Sequence, residues 1–130
     1  MFSNYIMIAL GGAMGSITRV ALSQIFPSHI LGVPLQILSI NILGCFMIGA
    51  LAEFMAFYWS TPDHVRHFLI PGFLGGFTTF SSFALEFGLL FEKNQHAQAI
   101  SYVLASMAIS LIAFFLGMKL VKFMGSALIS

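Results

Sequence analysis

The side chains best suited to handling an ion are concentrated in one short stretch. Residues 71–83 read Pro71-Gly72-Phe73-Leu74-Gly75-Gly76-Phe77-Thr78-Thr79-Phe80-Ser81-Ser82-Phe83. A proline and three glycines within six residues continue a helix poorly. A break there exposes carbonyls from the first half and amides from the second, the groups that hold cations and anions respectively. The hydroxyls of Thr78, Thr79, Ser81 and Ser82 follow at once, placed to cap a restarted helix or to line a path. A plain proline kink is the competing reading. Phe80 and Phe83 are three apart and share a helix face. Such pairs mostly fill cores, but a phenyl edge is weakly positive and faces an anion without gripping it.

Other polar groups sit in apolar surroundings elsewhere. Asn41 lies in Asn41-Ile42-Leu43-Gly44-Cys45-Phe46-Met47-Ile48-Gly49. Its amide needs a partner on a neighbouring helix or, equally, has an NH2 to give to a dehydrated anion. Tyr102, Ser106 and Ser110 recur every four residues and put three hydroxyls on one stripe, which must face protein or a pore. Arg19 stands about two-thirds along the first apolar run. It either snorkels toward the first loop or supplies a fixed positive charge at the mouth of an anion path. Glu53 and Glu86 lie near the ends of apolar runs, and Asp63 and Glu92 lie between them. No carboxylate stands mid-run to relay protons, no nucleophile–base pair or phosphate loop is evident, and no His cluster has metal-ligand spacing. The residues point to passage of an ion and away from catalysis.

The elements that must position these groups follow from composition. Of 130 residues, 59% are hydrophobic and 7% charged, too little charge to coat a water-facing surface. Lipid is the solvent that removes the difficulty. A net charge of +1 with no Lys/Arg cluster excludes a nucleic-acid partner. The single cysteine, Cys45, excludes an intrachain disulfide. The N-terminal MFSNYIMIAL lacks the positive n-region expected of a cleavable signal peptide. Breakers and polar clusters delimit four membrane helices over about 5–25, 35–58, 68–91 and 97–124, each near the roughly 20 residues that cross a bilayer. They form one all-α transmembrane domain spanning 1–130, with short loops and antiparallel neighbours.

Small residues mark the helix contacts: Gly11, Gly12, Gly15 and Ser16 in the first run, Gly44 and Gly49 in the second, Ala113 and Gly117 in the fourth. Between lipid-embedded helices such residues let backbones approach closely. For orientation, Arg66, Lys119 and Lys122 fall on one side and Lys93 and Arg19 on the other. So slight an excess either sets one orientation or permits insertion both ways.

Three blocks together resemble the Fluc/CrcB family of fluoride channels: GGxxGxxxR (Gly11, Gly12, Gly15, Arg19), NxxGCFxxG (Asn41 to Gly49) and GFLGGFTTFSSF (Gly72 to Phe83). The resemblance covers the whole chain, and the TTFS block is its most specific part. Ser82 stands where the family often has Thr, which keeps the hydroxyl, whereas Ile37 stands where it often has Thr, which does not.

The resemblance implies an antiparallel, dual-topology homodimer with the third helix broken near its middle. It implies two pores per dimer that let toxic cytoplasmic fluoride leave passively, in a bacterial inner membrane. It implies a pore of Asn41, Phe80 and Phe83 with the hydroxyls of Thr79, Ser81, Ser82, Tyr102, Ser106 and Ser110, and a vestibule with Arg19 and Glu86. It also implies a structural Na+ between subunits on the backbone carbonyls of Gly75 and Thr78. Two other classes compete. A small drug/proton antiporter needs a membrane-embedded acid in its first helix, and none is present. A non-transporting assembly subunit explains the small-residue faces but not polar groups on three helices.

Overall fold

The computed structural model describes residues 1–30 and 32–129. Four spans are long and apolar enough to cross a membrane: Phe2–Ser23, Leu35–Phe57, Asp63–Glu92 and His96–Leu128. The chain is therefore a multi-pass integral membrane protein, with most backbone polar groups of its spans satisfied inside helices as hydrocarbon requires.

Helix α1 (Phe2–Ser23) leads into a minimal antiparallel pair, β1 (His29–Ile30) with β2 (Val33–Pro34), in which Ile30 faces Val33. Gly32 takes a φ of 81° inside this turn, a conformation that favours glycine. Pro34 then caps α2 (Leu35–Phe57). The third span has four parts: α3 (Asp63–His67), a π-helical segment (Phe68–Leu74), α4 (Gly75–Phe77) and α5 (Phe80–Glu92). It begins five residues before the expected start at 68. Pro62 is extended just outside it, and Asp63 puts an acid at the positive end of the helix. Pro71 does not end the helix. A proline has no N–H to give to the preceding turn, and the wider π turn accommodates that loss without straightening the chain. The extended residues are Thr78 (ψ 153°) and Thr79 (ψ 120°).

After a tight turn in which Asn94 adopts φ 59°, α6 (His96–Ile129) runs for 34 residues. At 1.5 Å per residue it is about 51 Å long and outruns the roughly 30 Å of hydrocarbon.

Packing runs through small residues in two pairs. Gly11 and Gly15 of α1 lie directly against the backbone of the third span, where an added Cβ would strike the carbonyls of Phe68 and Phe73. Gly76 answers from the other side, against the Gly12 carbonyl. In the second pair, Gly49 of α2 meets the Phe114 carbonyl and Gly117 of α6 meets that of Phe46. Ala113 is buried in the same contact region. Near the first loop a core of Leu38, Leu90, Ala99 and Tyr102 forms, with Phe83 and Phe87 packed on it. Glu53, near the end of α2, is only 4% exposed and pairs with Lys122 of α6 at 4.0 Å.

Gly15 and Gly12 give an internal comparison on one helix. Gly15→Ala forces a methyl into the Phe73 carbonyl, whereas at Gly12 the nearest atom lies 3.8 Å away. Thermal unfolding in detergent is expected to show Gly15→Ala destabilised by about 1–3 kcal/mol. Gly12→Ala should sit at or slightly above wild type; equal losses at both would refute the contact.

Candidate ion pathway

Thr78 and Thr79 interrupt the third span, and most of their polar groups bond to neighbours. The Thr78 hydroxyl donates to the Leu74 carbonyl at 2.9 Å, and its amide donates to the same carbonyl at 3.0 Å. One side chain binds both backbone polar groups of Thr79: its N–H donates to Asn41 Oδ1 at 2.9 Å, and Asn41 Nδ2 donates to its carbonyl at 3.1 Å. The Thr79 hydroxyl accepts the Ser82 amide at 3.1 Å and so caps α5, with Ser81 Oγ 3.2 Å away.

This wiring redirects two amides. In a continuous helix the N–H of Thr79 would serve the Gly75 carbonyl, and that of Ser82 the Thr78 carbonyl. Here the first goes to Asn41 and the second to the Thr79 hydroxyl. The carbonyls of Gly75 and Thr78 are thereby left without their usual helical donors. The Gly76 carbonyl, between them, accepts from Arg19 Nε at 3.2 Å and from Ser16 Oγ at 3.5 Å. Arg19 thus places a guanidinium at the negative end of the helical run 63–77.

Beside the interruption lies a cavity of about 410 Å³. Its wall includes Asn41, Gly75, Thr78, Thr79, Phe80, Phe83, Ser106 and Ser110, residues that sequence reasoning singled out on three helices. Phe80 and Phe83 are tilted by 50° with ring centres 5.4 Å apart. Phe83 continues onto Tyr102 at 5.0 Å. Ser106 is 8% exposed, and its buried Oγ has no protein partner.

Other candidates stand outside the lining. Tyr102 is wholly buried in the core behind Phe83, its hydroxyl also unpartnered. Ser81 and Ser82 belong to the first turn of α5, and Arg19 is engaged at Gly76. Glu86 is half-buried farther along α5. Conversely, Gly44, Cys45, Ile48, Ile70, Leu74 and Met107 line the cavity although the sequence had not placed them at the site; Gly44 was read only as a helix contact. The signal for three of them was present: 41, 44, 45 and 48 form one helical face, so Asn41 marks its neighbours. Gly44 is required there, because a side chain would collide with the Thr78 methyl.

The model of the CrcB-like, camphor-resistance (CrcB) family matches residues 6–118. The chain belongs to the CrcB family. Among its relatives, the fluoride-specific ion channel FluC of Francisella philomiragia is 41% identical over 116 residues, covering 86% of this chain and 89% of that protein. The FluC of Paracoccus denitrificans is 42% identical over 118 residues, 91% of this chain and 94% of the relative. That of Chelativorans sp. is 40% identical over 118 residues. The CrcB match includes most of α1, α2, the interrupted third span and most of α6, so every lining residue named above falls inside it.

Proposed function

We propose that this CrcB-family chain is a fluoride-selective channel that lets toxic cytoplasmic fluoride leave down its gradient across a bacterial inner membrane. The observation that carries the reading is the cavity wall: an amide, hydroxyls and phenyl rings from three helices, with no carboxylate among its lining residues. Relatives about 40% identical over most of the chain are fluoride-specific channels by name. Moving a small anion from water into a low-dielectric medium costs on the order of 20 kcal/mol by a Born estimate. The wall must replace hydration with donors while holding the ion loosely enough to release it. Asn41 spends one amide hydrogen on Thr79 and keeps the other for the ion; Ser106 and Ser110 supply hydroxyls, and Phe80 and Phe83 supply ring edges.

Fluoride efflux from liposomes tests this. Phe80→Ile and Phe83→Ile should each cut flux by at least about tenfold in folded protein if ring edges touch the ion, against packing losses of only about 1–2 kcal/mol. Phe73, stacked on Phe77 away from the cavity, and Phe91, beside His96, are the controls. Equal flux from all four variants, normalised to folded protein, would make the pair packing only.

The same reading makes the working unit a homodimer of oppositely inserted copies with two pores, the third helix being broken for function at Thr78 and Thr79. Phe80 is 80% exposed in the single chain although it lines the cavity, so the wall is open on that side. The Lys/Arg excess of three against two is slight. Reporters on the C-terminus should be found on both faces of the membrane; one face for every copy would sink the dual-topology reading.

A structural Na+ at the dimer centre fits the carbonyls of Gly75 and Thr78. Both have lost their helical donors, and backbone oxygens suit a hard monovalent cation. Among the described residues no three His, Cys, Asp or Glu side chains converge to offer another ligand set. Arg19, with no acid bonded to it, and Glu86 bound the vestibule. Replacing Na+ by a bulky organic cation at constant ionic strength should lower the melting temperature of the wild type. In Asn41→Leu, which removes the acceptor that draws the Thr79 amide away from Gly75, this sodium dependence should vanish. A wild type indifferent to sodium would refute the site.

A further inference from the structure

Where the second span ends and the third begins, another cavity of about 380 Å³ opens, lined by residues 55–61 and Arg66. It shares no residue with the ion pathway. Its polar groups are of opposite electrical character. The last carbonyls of a helix have no donor within it. The Tyr58 amide serves the Phe54 carbonyl, but among the described residues no bond from beyond the helix reaches those of Met55, Ala56 and Phe57. These carbonyls form the negative end of the 23-residue α2. Arg66 contributes the opposite charge, and its guanidinium has no hydrogen-bond or ion-pair partner among the described residues. The neighbouring acid, Asp63, is engaged elsewhere, accepting from Asn4 at 3.1 Å and standing 3.8 Å from His67. Tyr58 and Trp59 complete the wall, their ring centres 6.3 and 5.9 Å from that of Phe54, and the Tyr58 hydroxyl lies against Gly125 of α6.

We propose that this cavity holds the headgroup of a zwitterionic phospholipid bearing a primary amine, the phosphatidylethanolamine class. Arg66 takes the phosphate, because a guanidinium fork matches two of its oxygens, and the Ser60 hydroxyl adds a further donor. The ammonium, whose N–H groups donate, takes the terminal carbonyls of α2. A purely anionic headgroup would leave those carbonyls unmet, and a simple cation would leave Arg66 unmet. Only a ligand carrying both charges a few bonds apart answers the two sets. Its source follows from where the cavity lies. A loop joining two membrane spans stands at the interface, the level at which Tyr and Trp gather and headgroups reside. Phe57, 70% exposed and part of the lining, offers apolar surface to an acyl chain that a water-soluble phosphoethanolamine does not have.

Native mass spectrometry of the detergent-purified protein, titrated with one lipid at a time, tests the site without any measurement of fluoride. Wild type should hold phosphatidylethanolamine at least about tenfold more tightly than phosphatidylcholine, whose quaternary ammonium has no N–H, and than phosphatidylglycerol, which has no ammonium. Arg66→Gln should weaken phosphatidylethanolamine by about tenfold or more, and Arg66→Lys by less, since it keeps the charge without the fork. Lys93→Gln, at the far end of the third span, should bind as wild type does. Free phosphoethanolamine at the lipid's concentration should displace nothing.

Phosphatidylglycerol bound as tightly as phosphatidylethanolamine overturns the zwitterionic assignment, leaving Arg66 a simple anion contact. Phosphatidylcholine bound as tightly overturns the role of the carbonyls, because ring faces alone then recognise the ammonium. Equal binding by wild type and Arg66→Gln puts the lipid elsewhere, and displacement by free phosphoethanolamine makes the ligand a soluble one. If Arg66→Gln does not fold, the wild-type lipid ranking together with Arg66→Lys against Lys93→Gln decides.

Discussion

The two-point bond between Asn41 and the Thr79 peptide is the constraint on which the site depends. Two extended residues inside a membrane span leave amide and carbonyl groups that hydrocarbon cannot satisfy, at a cost of about 1–3 kcal/mol for each buried group. One carboxamide has a donor and an acceptor on the same plane, so it satisfies the N–H and the C=O of one extended residue at once. No other side chain of that size does this without a charge. Once Thr79 is held extended, its hydroxyl is positioned to accept the Ser82 amide and α5 starts there. The two redirected amides then leave the Gly75 and Thr78 carbonyls free of helical partners.

The clamp works only because the helices are close enough to use it. Gly44, one turn after Asn41 on α2, leaves room for the Thr78 methyl, so the same helix that supplies the amide also admits the interrupted chain. On the opposite side, α1 lies against the third span through Gly11, Gly12 and Gly15, which brings Ser16 and Arg19 to the Gly76 carbonyl. A guanidinium in lipid is costly unless it is bonded, and a carbonyl at a helix C-terminus is both a hydrogen-bond acceptor and the negative end of a dipole. Each solves the other's difficulty. Close packing through small residues is thus what permits polar chemistry at this depth, and it explains why the glycines and the polar residues occur on the same helices.

Much of this was legible in the sequence because composition and period act locally. Four apolar runs, the small-residue faces and the cluster of hydroxyls after the glycines are read from neighbouring positions. What the sequence did not disclose depends on pairing across distance. That the Asn41 amide is spent on Thr79 involves residues 38 apart, and nothing in either segment alone specifies the partner. Pro71 was misleading for a different reason: its missing N–H weakens an α-turn, but a π turn tolerates it, so the chain stays helical there and opens only at Thr78. The stripe of Tyr102, Ser106 and Ser110 was read as one surface, yet helix rotation divides it. Tyr102 enters the core under Phe83, while the two serines face the cavity.

That division bears on how such a wall holds a small anion loosely. A site with charges in contact with the ion would bind it tightly and release it slowly. Here the full charge nearest the interruption, Arg19, is tied to a carbonyl and acts from behind the helix run, so its field is felt without direct contact. The groups that line the cavity carry no full charge: the Asn41 amide with one hydrogen to spare, two serines and two tilted phenyl rings. Tyr102, with its hydroxyl unpartnered, supports Phe83 from beneath and fixes the ring's tilt without entering the cavity. Each donor alone replaces little of the hydration shell, so a dehydrated ion is stabilised only where several act together. What the Asn41–Thr79 bond holds fixed is the backbone of Thr79, and with it the start of α5, which carries Phe80 and Phe83 on the cavity wall.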